Sequence, residues 1–287
     1  MANIRLIRRR IRGIRNISKI TRAMEMIAAS KMRKAQERGL AGRPYSEKII
    51  EVLSTLAASP ADSRVHHPLL ETRDVARNAA IIHITPDRGL TGGLVSNINR
   101  SGSRFILDQG IPVEVVAVGR KGLDFMRRTS QNVVADFVHL GDHPAYTDIL
   151  PISRIIIEDF TSGKVDAVYV SYARFVSTGA QVATVQPILP IKPATLSTGS
   201  NVDYIFEPNP QSVLDALLPR FVETQIYHLV LEAIASEQSA RMMAMRNATD
   251  NAEELTSDLT LVYNKARQES ITTELLDIIG GATALTG

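Results

Sequence analysis

The sequence predicts a mixed α/β protein in which two long terminal helices flank a smaller domain of alternating strands and helices. Three observations lead to this prediction. Residues 220–279 contain no Gly or Pro, residues 3–43 contain no Pro, and the region between them is rich in short β-branched runs. One helix over sixty residues would be ~90 Å long at ~1.5 Å per residue. Because an average helix has about 11–12 residues, such a helix needs a partner along much of its length.

The N-terminal stretch, residues 1–60, supplies a helix with a coiled-coil rhythm. Ile4, Ile7, Ile11 and Ile14 have the 3-4-3 spacing of a heptad seam. The same rhythm then restarts from a shifted position, at Ile17, Ile20, Met24 and Ile27. We therefore expect both groups to line the seam of an imperfect coiled coil. Pro44 is expected to bend or break this arm.

The C-terminal stretch, residues 209–287, carries matching apolar positions. Asn209 and Pro210 predict the start of its helix, with Asn as the cap and Pro in the first turn. Small residues between Ala233 and Ala248 would permit close approach of another backbone, and their weakly polar character would suit a bearing surface. The heptad-like positions are Leu214, Leu217 and Phe221, then Leu255, Leu259, Val262 and Ala266, then Ile271, Leu275 and Ile278. Phe221, Leu259 and Leu275 are assigned to packing.

The middle of the chain, residues 75–205, changes rhythm and predicts a Rossmann-like α/β domain. Short runs rich in β-branched and other apolar residues predict strands at 80–85, 113–118, 167–171 and 182–189. Helical stretches at 94–109, 122–128 and 149–162 separate them. Strands that alternate with helices imply βαβ units and a largely parallel sheet.

Charge differs sharply between the two arms. Residues 1–38 hold twelve Lys or Arg and two Glu, a difference of +10, and residues 211–287 hold five Lys or Arg and eleven acids, a difference of −6. Opposite arms should attract, and charges beside a seam help to set helix pairing. The basic arm also allows an alternative function, a nucleic-acid-binding coiled coil. That alternative lacks RNP, KH and zinc-finger motifs, and the acidic arm would neutralise much of the positive field.

Composition excludes several classes of protein. The chain has no Cys, which rules out disulfides, thiolate metal sites and Cys nucleophiles. Aromatic residues make up 5% and Trp is absent, which suits long helices better than an aromatic-lined pocket. No apolar run approaches the ~18–20 residues of a membrane span. The Arg-rich start also has the character of a transit peptide, but its periodicity continues past residue 30, so we expect it to be mature structure.

Motifs for chemistry are weak. The Gly-rich segment PDRGLTGGL, residues 86–94, follows a predicted strand, where such turns can cradle phosphate. Its spacing matches neither GxGxxG nor GxxxxGK[ST], so a tight turn is favoured over a nucleotide-dependent enzyme. The six His residues show no HExxH spacing, and no G-x-S-x-G occurs. We therefore predict no catalytic, cofactor-binding or metal-binding residues in this chain.

Three terminal segments carry a resemblance to a known family. ITRAMEMIAASKMRKAQ at 20–36, SEQSARMMAMRNATDNAEEL at 236–255 and LVYNKARQESITTELLDIIGGA at 261–282 closely resemble the gamma subunit of bacterial F-type ATP synthases. PDRGLTGGL and QPILP (186–190) resemble its middle-domain motifs. The resemblance covers essentially the whole chain. It implies an antiparallel coiled coil of the N- and C-terminal helices with the α/β domain inserted between them.

The resemblance also implies a function and a set of partners. Gamma is the rotor shaft of the enzyme, one copy within a ring of three alpha and three beta subunits, with epsilon and the membrane ring of c subunits at its foot. It would couple rotation of the c-ring to the conformational cycle of the beta subunits. ATP, ADP and Mg²⁺ would act at alpha and beta, and this chain would bind no cofactor. Its place would be peripheral, on the cytoplasmic face of the bacterial plasma membrane.

The resemblance implies roles for individual residues as well. Arg267, Gln268 and Thr272 match the catch that hydrogen-bonds acidic loops of beta. Met24 matches a position near the acidic lever of beta. The residues implied to add to that lever contact are Lys19, Arg22, Lys31 and, on the facing helix, Arg241. Tyr204 and Glu207 resemble the foot residues that meet the c-ring or epsilon.

Overall fold

The computed structural model describes residues 4–57, 67–73, 76–191, 207 and 209–286. These residues form two compact units. The first comprises Met1–Ala28 and Met242–Gly287, and the second comprises Ala29–Arg241. The candidate sites lie within one unit or the other.

Two long helices run through most of the terminal sequence. Helix α1 spans Ile4–Ala41 and α2 spans Arg43–Ala57, so the first arm breaks at Gly42, two residues before Pro44. Helix α6 spans Pro210–Thr286, 77 residues. Asn209 caps it as predicted, because its Oδ1 accepts a hydrogen bond of 2.8 Å from the amide of Ser212. No helix among the described residues is long and apolar enough to cross a membrane.

A five-stranded sheet lies at the centre of the second unit. Its strands are β1 (Ala79–Ile84), β2 (Val113–Val118), β3 (Asn132–Phe137), β4 (Ala167–Ser177) and β5 (Ala180–Leu189), in the order β3-β2-β1-β4-β5. The first four pair in parallel, and β5 pairs antiparallel to β4 through a hairpin. The helices of this unit that separate the strands are α3 (Leu94–Gln109), α4 (Arg120–Arg128) and α5 (Tyr146–Thr161). The predicted α/β fold with long terminal helices is confirmed.

The differences from the predicted elements have local causes. Strand β3 was not predicted, because its half-exposed sequence NVVADF has no continuous apolar run. Strand β4 continues six residues beyond the predicted end at 171, because it forms a long hairpin with β5. The predicted strand at 182–189 and the predicted helix at 149–162 each begin a few residues too late.

The core of the second unit explains the small residues of α6. Strand β1 is buried along its whole length, with α5 and the first half of α6 contributing to the same apolar cluster. Ala233 and Ala235 belong to that cluster, and Ala240 packs with Leu94 and Ile98 of α3. The expectation that this Ala-rich stretch supplies an open bearing surface is therefore wrong for these three residues, because their small size lets α6 approach its own domain.

Candidate functional site

The first unit is a two-helix coiled coil with a regular heptad seam. On α1 the seam runs through Ile4, Ile7, Ile11, Ile14, Ser18, Thr21, Glu25 and Ala28, which are all buried or half-buried. On α6 it runs through Met242, Met245, Thr249, Ala252, Thr256, Leu259, Tyr263, Ala266 and Ser270. Both sets keep the alternating 3-4 spacing of a coiled coil. The seam is apolar near the start of α1 and becomes small and polar further along it.

A buried hydroxyl pair lies at the polar part of this seam. Thr21 Oγ1 and Thr249 Oγ1 are 2.7 Å apart, and both residues are buried. One of the two hydroxyls donates to the other, and the accepting hydroxyl donates its own proton to a backbone carbonyl oxygen, that of Met245 for Thr249 or those of Ile17 and Ser18 for Thr21. The hydroxyl groups are therefore satisfied, which removes the penalty of burying them. The pair fixes the register of one helix on the other.

Charged contacts across the seam show that the helices are antiparallel. Arg22 lies 2.7 Å from Glu253, and Arg8 donates to the hydroxyl of Tyr263 at 2.6 Å. A later position on α1 thus meets an earlier position on α6. The Arg8 guanidinium holds the pKa of Tyr263 below its ordinary value, because it donates to that hydroxyl oxygen. These exposed contacts contribute little stability each, but they agree with the opposite charges of the two arms.

The structure corrects the predicted seam at its second segment. Ile17, Ile20 and Ile27 are exposed, and Ile20 keeps 59% of its surface accessible. The heptad of Ile14 simply continues to Ser18 and Thr21, and no shift of register occurs. Five of the predicted seam residues on α6 are also wrong. They are exposed because they lie off the seam that runs through Thr256, Leu259, Tyr263 and Ala266: Leu255, Val262, Ile271, Leu275 and Ile278. Leu275 is therefore not a packing residue, whereas Phe221 is buried and Leu259 is half-buried.

The predicted catch residues share one exposed face of α6. Arg267, Gln268 and Thr272 are exposed, and the hydroxyl of Thr272 donates to the carbonyl oxygen of Gln268 at 2.9 Å. At 100° per residue, Ile271 and Leu275 fall on the same side of the helix as Arg267 and Gln268. The face therefore combines a guanidinium, an amide and bare apolar side chains. Such a surface can donate hydrogen bonds to another protein and make apolar contacts with it.

The predicted lever residues fall into two groups. Lys19 and Arg22 are exposed on α1, and Met24 is half-buried there. Lys31 and Arg241 belong to the second unit and have partners within the chain: Lys31 Nζ lies 2.7 Å from Asp142 Oδ2, and Arg241 lies 2.7 Å from Glu237. The contact of Lys31 or Arg241 with a beta subunit stays a prediction.

Arg241 is held more firmly than the other basic residues of this set. Its side chain is 12% exposed, and it also donates to the carbonyl oxygen of Gly89 in the Gly-rich turn. Burial raises the pKa of Glu237, and the Arg241 guanidinium opposes that rise. Asp142, which accepts from Lys31, also accepts from Gln238. Sequence patterns did not point to Asp142, because its partners are over 90 residues away in the chain.

The Gly-rich turn connects β1 to α3 and is held by hydrogen bonds within its own domain. Asp87 accepts hydrogen bonds from the amides of Arg120 and His139, so it ties the turn to the start of α4 and to the end of β3. Ligands of doubly wound folds bind at the carboxyl ends of the strands. Here Val230, Ala233 and Glu237 of α6 line that crevice, which leaves a cavity of about 50 Å³. This volume is too small for a nucleotide.

A buried histidine was also missed from sequence. His83 is completely buried in β1, and its Nε2 lies 2.9 Å from Asn99 Oδ1. Burial lowers its pKa to about 4, so the ring is neutral at neutral pH. A Cβ atom at Gly102 or Gly122 would lie within 3.0 Å of the ring, so both glycines are needed for the two helices to pack over it. This cluster supports the fold of the second unit.

The remaining expectations concern metals and the foot. The described residues contain no group of three or more His, Asp or Glu side chains that could hold a metal ion. Glu207 is exposed, as a contact residue would be. Tyr204 lies outside the described residues.

Comparison with known proteins agrees with the resemblance of the terminal segments. A family model described as ATP synthase matches residues 3–285. The chain is 64% identical to the ATP synthase gamma chain of Dehalococcoides mccartyi over 285 residues, 99% of this chain and 100% of that one. It is 54% identical to the ATP synthase gamma chain of Roseiflexus castenholzii over 288 residues, 99% of each.

Solved structures show the same fold at low sequence identity. A chain of the Euglena gracilis mitochondrial ATP synthase matches with a TM-score of 0.66 and 18% identity, over 98% of this chain and 94% of that chain. A chain from the central stalk and c-ring of the Tetrahymena thermophila mitochondrial ATP synthase matches with a TM-score of 0.61 and 24% identity, over 80% and 99%. None of these matches supports a nucleic-acid-binding protein. The chain belongs to the ATP synthase family and groups with its gamma chains.

Proposed function

We propose that this gamma chain is the central rotor shaft of an F-type ATP synthase, one copy inside a ring of three alpha and three beta subunits. The antiparallel coiled coil of α1 and α6 carries this proposal. Two helices joined by the Thr21–Thr249 pair and the Arg22–Glu253 contact resist twisting and bending better than one helix. That resistance is what a shaft needs to pass torque.

The energy that the shaft must pass is large compared with a single side-chain contact. One charge that crosses a membrane releases about 2.3 kcal/mol per 100 mV. Several such steps must be summed before one ATP can be made. In this proposal the c-ring turns the foot of the chain, and the turning coiled coil moves each beta subunit through its conformational cycle. The proposal divides the chain into an N-terminal helical arm (1–60), a foot domain (75–205) and a C-terminal helical arm (209–287).

The catalytic chemistry is assigned to the partner subunits. ATP, ADP and Mg²⁺ would bind to alpha and beta, and this chain would hold no catalytic or cofactor site. The filled crevice at the carboxyl edge of the sheet supports this assignment, because α6 occupies the place where such folds bind nucleotides. Epsilon and the c-ring would contact the foot, with Tyr204 and Glu207 as proposed contact residues. The complex would place this chain at the cytoplasmic face of the bacterial plasma membrane.

Contact with beta is assigned to two exposed surfaces. Arg267, Gln268 and Thr272 form the proposed catch, where a guanidinium and an amide can donate to acidic loops. Met24, Lys19 and Arg22 form the proposed lever contact on α1. Lys31 and Arg241 are paired with Asp142 and Glu237, and Arg22 is paired with Glu253, so a direct contact of any of these three with beta would require its pair to open.

The first experiment is native mass spectrometry of the chain co-expressed with alpha and beta subunits of the same organism. The proposal predicts one copy bound to a ring of three alpha and three beta subunits, with ATPase activity that depends on the chain. Failure to bind, or several copies in each ring, would contradict it.

A paired substitution tests the catch. Arg267→Ala with Gln268→Ala should lower the ATPase rate per assembled complex roughly tenfold or more, because charge-assisted hydrogen bonds to beta are lost. The yield of complex should fall much less. Lys265→Ala removes a nearby exposed cation of the same helix and serves as the matched control. Equal activity of the double variant and the control would show that the catch assignment is wrong.

A further inference from the structure

Two guanidinium groups converge on the hydroxyl of Tyr263 in the first unit. Arg8 of α1 donates to this oxygen at 2.6 Å, and its guanidinium carbon lies 5.5 Å from the centre of the Tyr263 ring. Arg267, one turn further along α6, lies close enough to the same oxygen that it also holds the pKa of Tyr263 below its ordinary value. A seam hydroxyl thus brings a basic residue of α1 next to a residue of the proposed catch.

These two cations have no carboxylate partner among the residues that the structure describes. Neither Arg8 nor Arg267 belongs to any ion pair there, whereas Arg22 lies 2.7 Å from Glu253. Residues 1–24 contain eight Lys or Arg and no Asp or Glu. Like charges that are held close together repel, and an anion bound between them removes that repulsion. An anion is therefore the ligand that this pair favours.

The donors at this point fit a carboxylate. Each guanidinium presents its N–H groups in a planar fork, which matches the two oxygens of a carboxylate. The hydroxyl of Tyr263 accepts from Arg8 and still has a proton of its own, for which the described residues supply no acceptor. A carboxylate that bridges Arg8 and Arg267 can therefore also accept a hydrogen bond from this hydroxyl.

We propose that Arg8 is a further contact residue of the catch and that Tyr263 is its positioning residue, so that Arg8 and Arg267 together bind one carboxylate of an acidic beta loop. The inference rests on the proposed function, because the loop belongs to the beta subunit that the catch is proposed to contact. It adds α1 to a contact otherwise assigned to α6 alone. A load from beta then acts on both helices of the coiled coil.

The ATPase rate per assembled complex tests the role of Arg8. In the chain co-expressed with alpha and beta, Arg8→Ala should lower this rate roughly tenfold, because a charge-assisted hydrogen bond to beta is lost. Arg9→Ala removes the neighbouring exposed cation of α1 and is the matched control, which should keep the wild-type rate. Equal rates for the two variants would overturn the inference.

A second measurement decides whether Arg8 acts at the same carboxylate as the catch. Arg8→Ala is added to the variant with Arg267→Ala and Gln268→Ala, in which the catch is already lost. Residues that contact one group have non-additive effects, so the added substitution should lower the rate by less than about twofold. A further loss of roughly tenfold would show that Arg8 acts elsewhere, and it would overturn the inference.

Tyr263→Phe separates positioning from packing, because the ring stays in the seam and only the hydroxyl is lost. The rate should fall roughly threefold, since one hydrogen bond that orients Arg8 is removed. The thermal midpoint of the chain should stay that of the wild type, because exposed polar contacts contribute little stability. A lowered midpoint with an unchanged rate would show that Tyr263 only packs, and it would overturn the positioning role.

The catch variant separates failure of this inference from failure of the proposed contact with beta. A normal rate with Arg267→Ala and Gln268→Ala would remove the catch itself, and this inference with it. A lowered rate in that variant, together with normal rates for Arg8→Ala and Tyr263→Phe, would leave the catch in place and overturn only the roles of Arg8 and Tyr263.

Discussion

The register of the coiled coil makes a sharp prediction about two isoleucines of the same helix. Ile11 is on the seam and is 8% exposed, whereas Ile20 is 59% exposed. Truncation of a buried isoleucine to alanine costs about 2–5 kcal/mol, because it removes apolar contact and leaves a cavity. Full burial of such a side chain contributes about 1.5–3 kcal/mol, so Ile20, which is less than half buried, should contribute about 1 kcal/mol or less. Ile11→Ala should therefore be several times more costly than Ile20→Ala.

Thermal unfolding followed by circular dichroism at 222 nm measures both variants in the full chain. A loss of 1 kcal/mol shifts the midpoint by roughly 4–8 °C in a unit of about 60–100 residues, so Ile11→Ala should lower the midpoint of the coiled coil by at least about 8 °C. Ile20→Ala should lower it several times less. The two substitutions remove the same atoms from the same helix, so each controls for the other. Equal shifts, or a larger shift for Ile20→Ala, would refute the observed register.

Three other perturbations have definite outcomes. Gly102→Ala should destabilise the second unit by about 1–3 kcal/mol in urea unfolding, since its Cβ would lie 2.9 Å from the His83 ring, and an unchanged midpoint would contradict the packing described. The pKa of His83 is about 4 in the folded state against an ordinary 6.5, so as the pH falls the unfolded chain binds a proton at a higher pH than the folded chain does. About 3 kcal/mol of stability should therefore be lost as the pH falls from about 6.5 to 4. His83→Gln should flatten that slope, and an identical slope in this variant would exclude His83 as its cause. Deletion of the residues after Leu275 should leave assembly with alpha and beta partly intact, as measured by native mass spectrometry, and complete loss of assembly would show that the exposed end of α6 is essential.

The sequence predicted the elements whose patterns are local and strong. The sixty residues without Gly or Pro required one long helix, and α6 is longer still, because Pro219 and the Gly280–Gly281 pair are accommodated inside it. The positions of four strands, β1, β2, β4 and β5, and of helix α3 were predicted from apolar runs bounded by turn residues. Strand β3 was missed since each of its side chains is only half-buried or exposed, which weakens the periodic signal.

The seam was only partly predictable for a physical reason. Apolar residues mark a seam when the helices are held by apolar packing, and this is true at Ile7 and Ile11. Further along, the contact consists of Ser18, Thr21 and Ala28, which are small enough for close approach. There the most apolar positions of α1 lie on an outer face. Counting heptads onward from Ile14 would have identified Thr21 as a seam residue. Its buried partner Thr249 can be identified only from the structure.

The placement of the candidate residues was predictable where it depends on one helix and not where it depends on distant contacts, and their roles stay predictions. Arg267, Gln268 and Thr272 are close in sequence, so one helical face brings them together. Lys31 meets Asp142 through the fold of the second unit, and no local pattern shows that contact.

Single-molecule rotation tests the central claim most directly. The chain has no native Cys, so Leu107→Cys, at a position 74% exposed in the second unit, provides an attachment point for a bead. With the alpha and beta ring fixed to a surface, the account predicts stepwise rotation of the bead in one direction when ATP is added, and no rotation without ATP. ATP hydrolysis at the normal rate with a bead that stays still would contradict the rotor function.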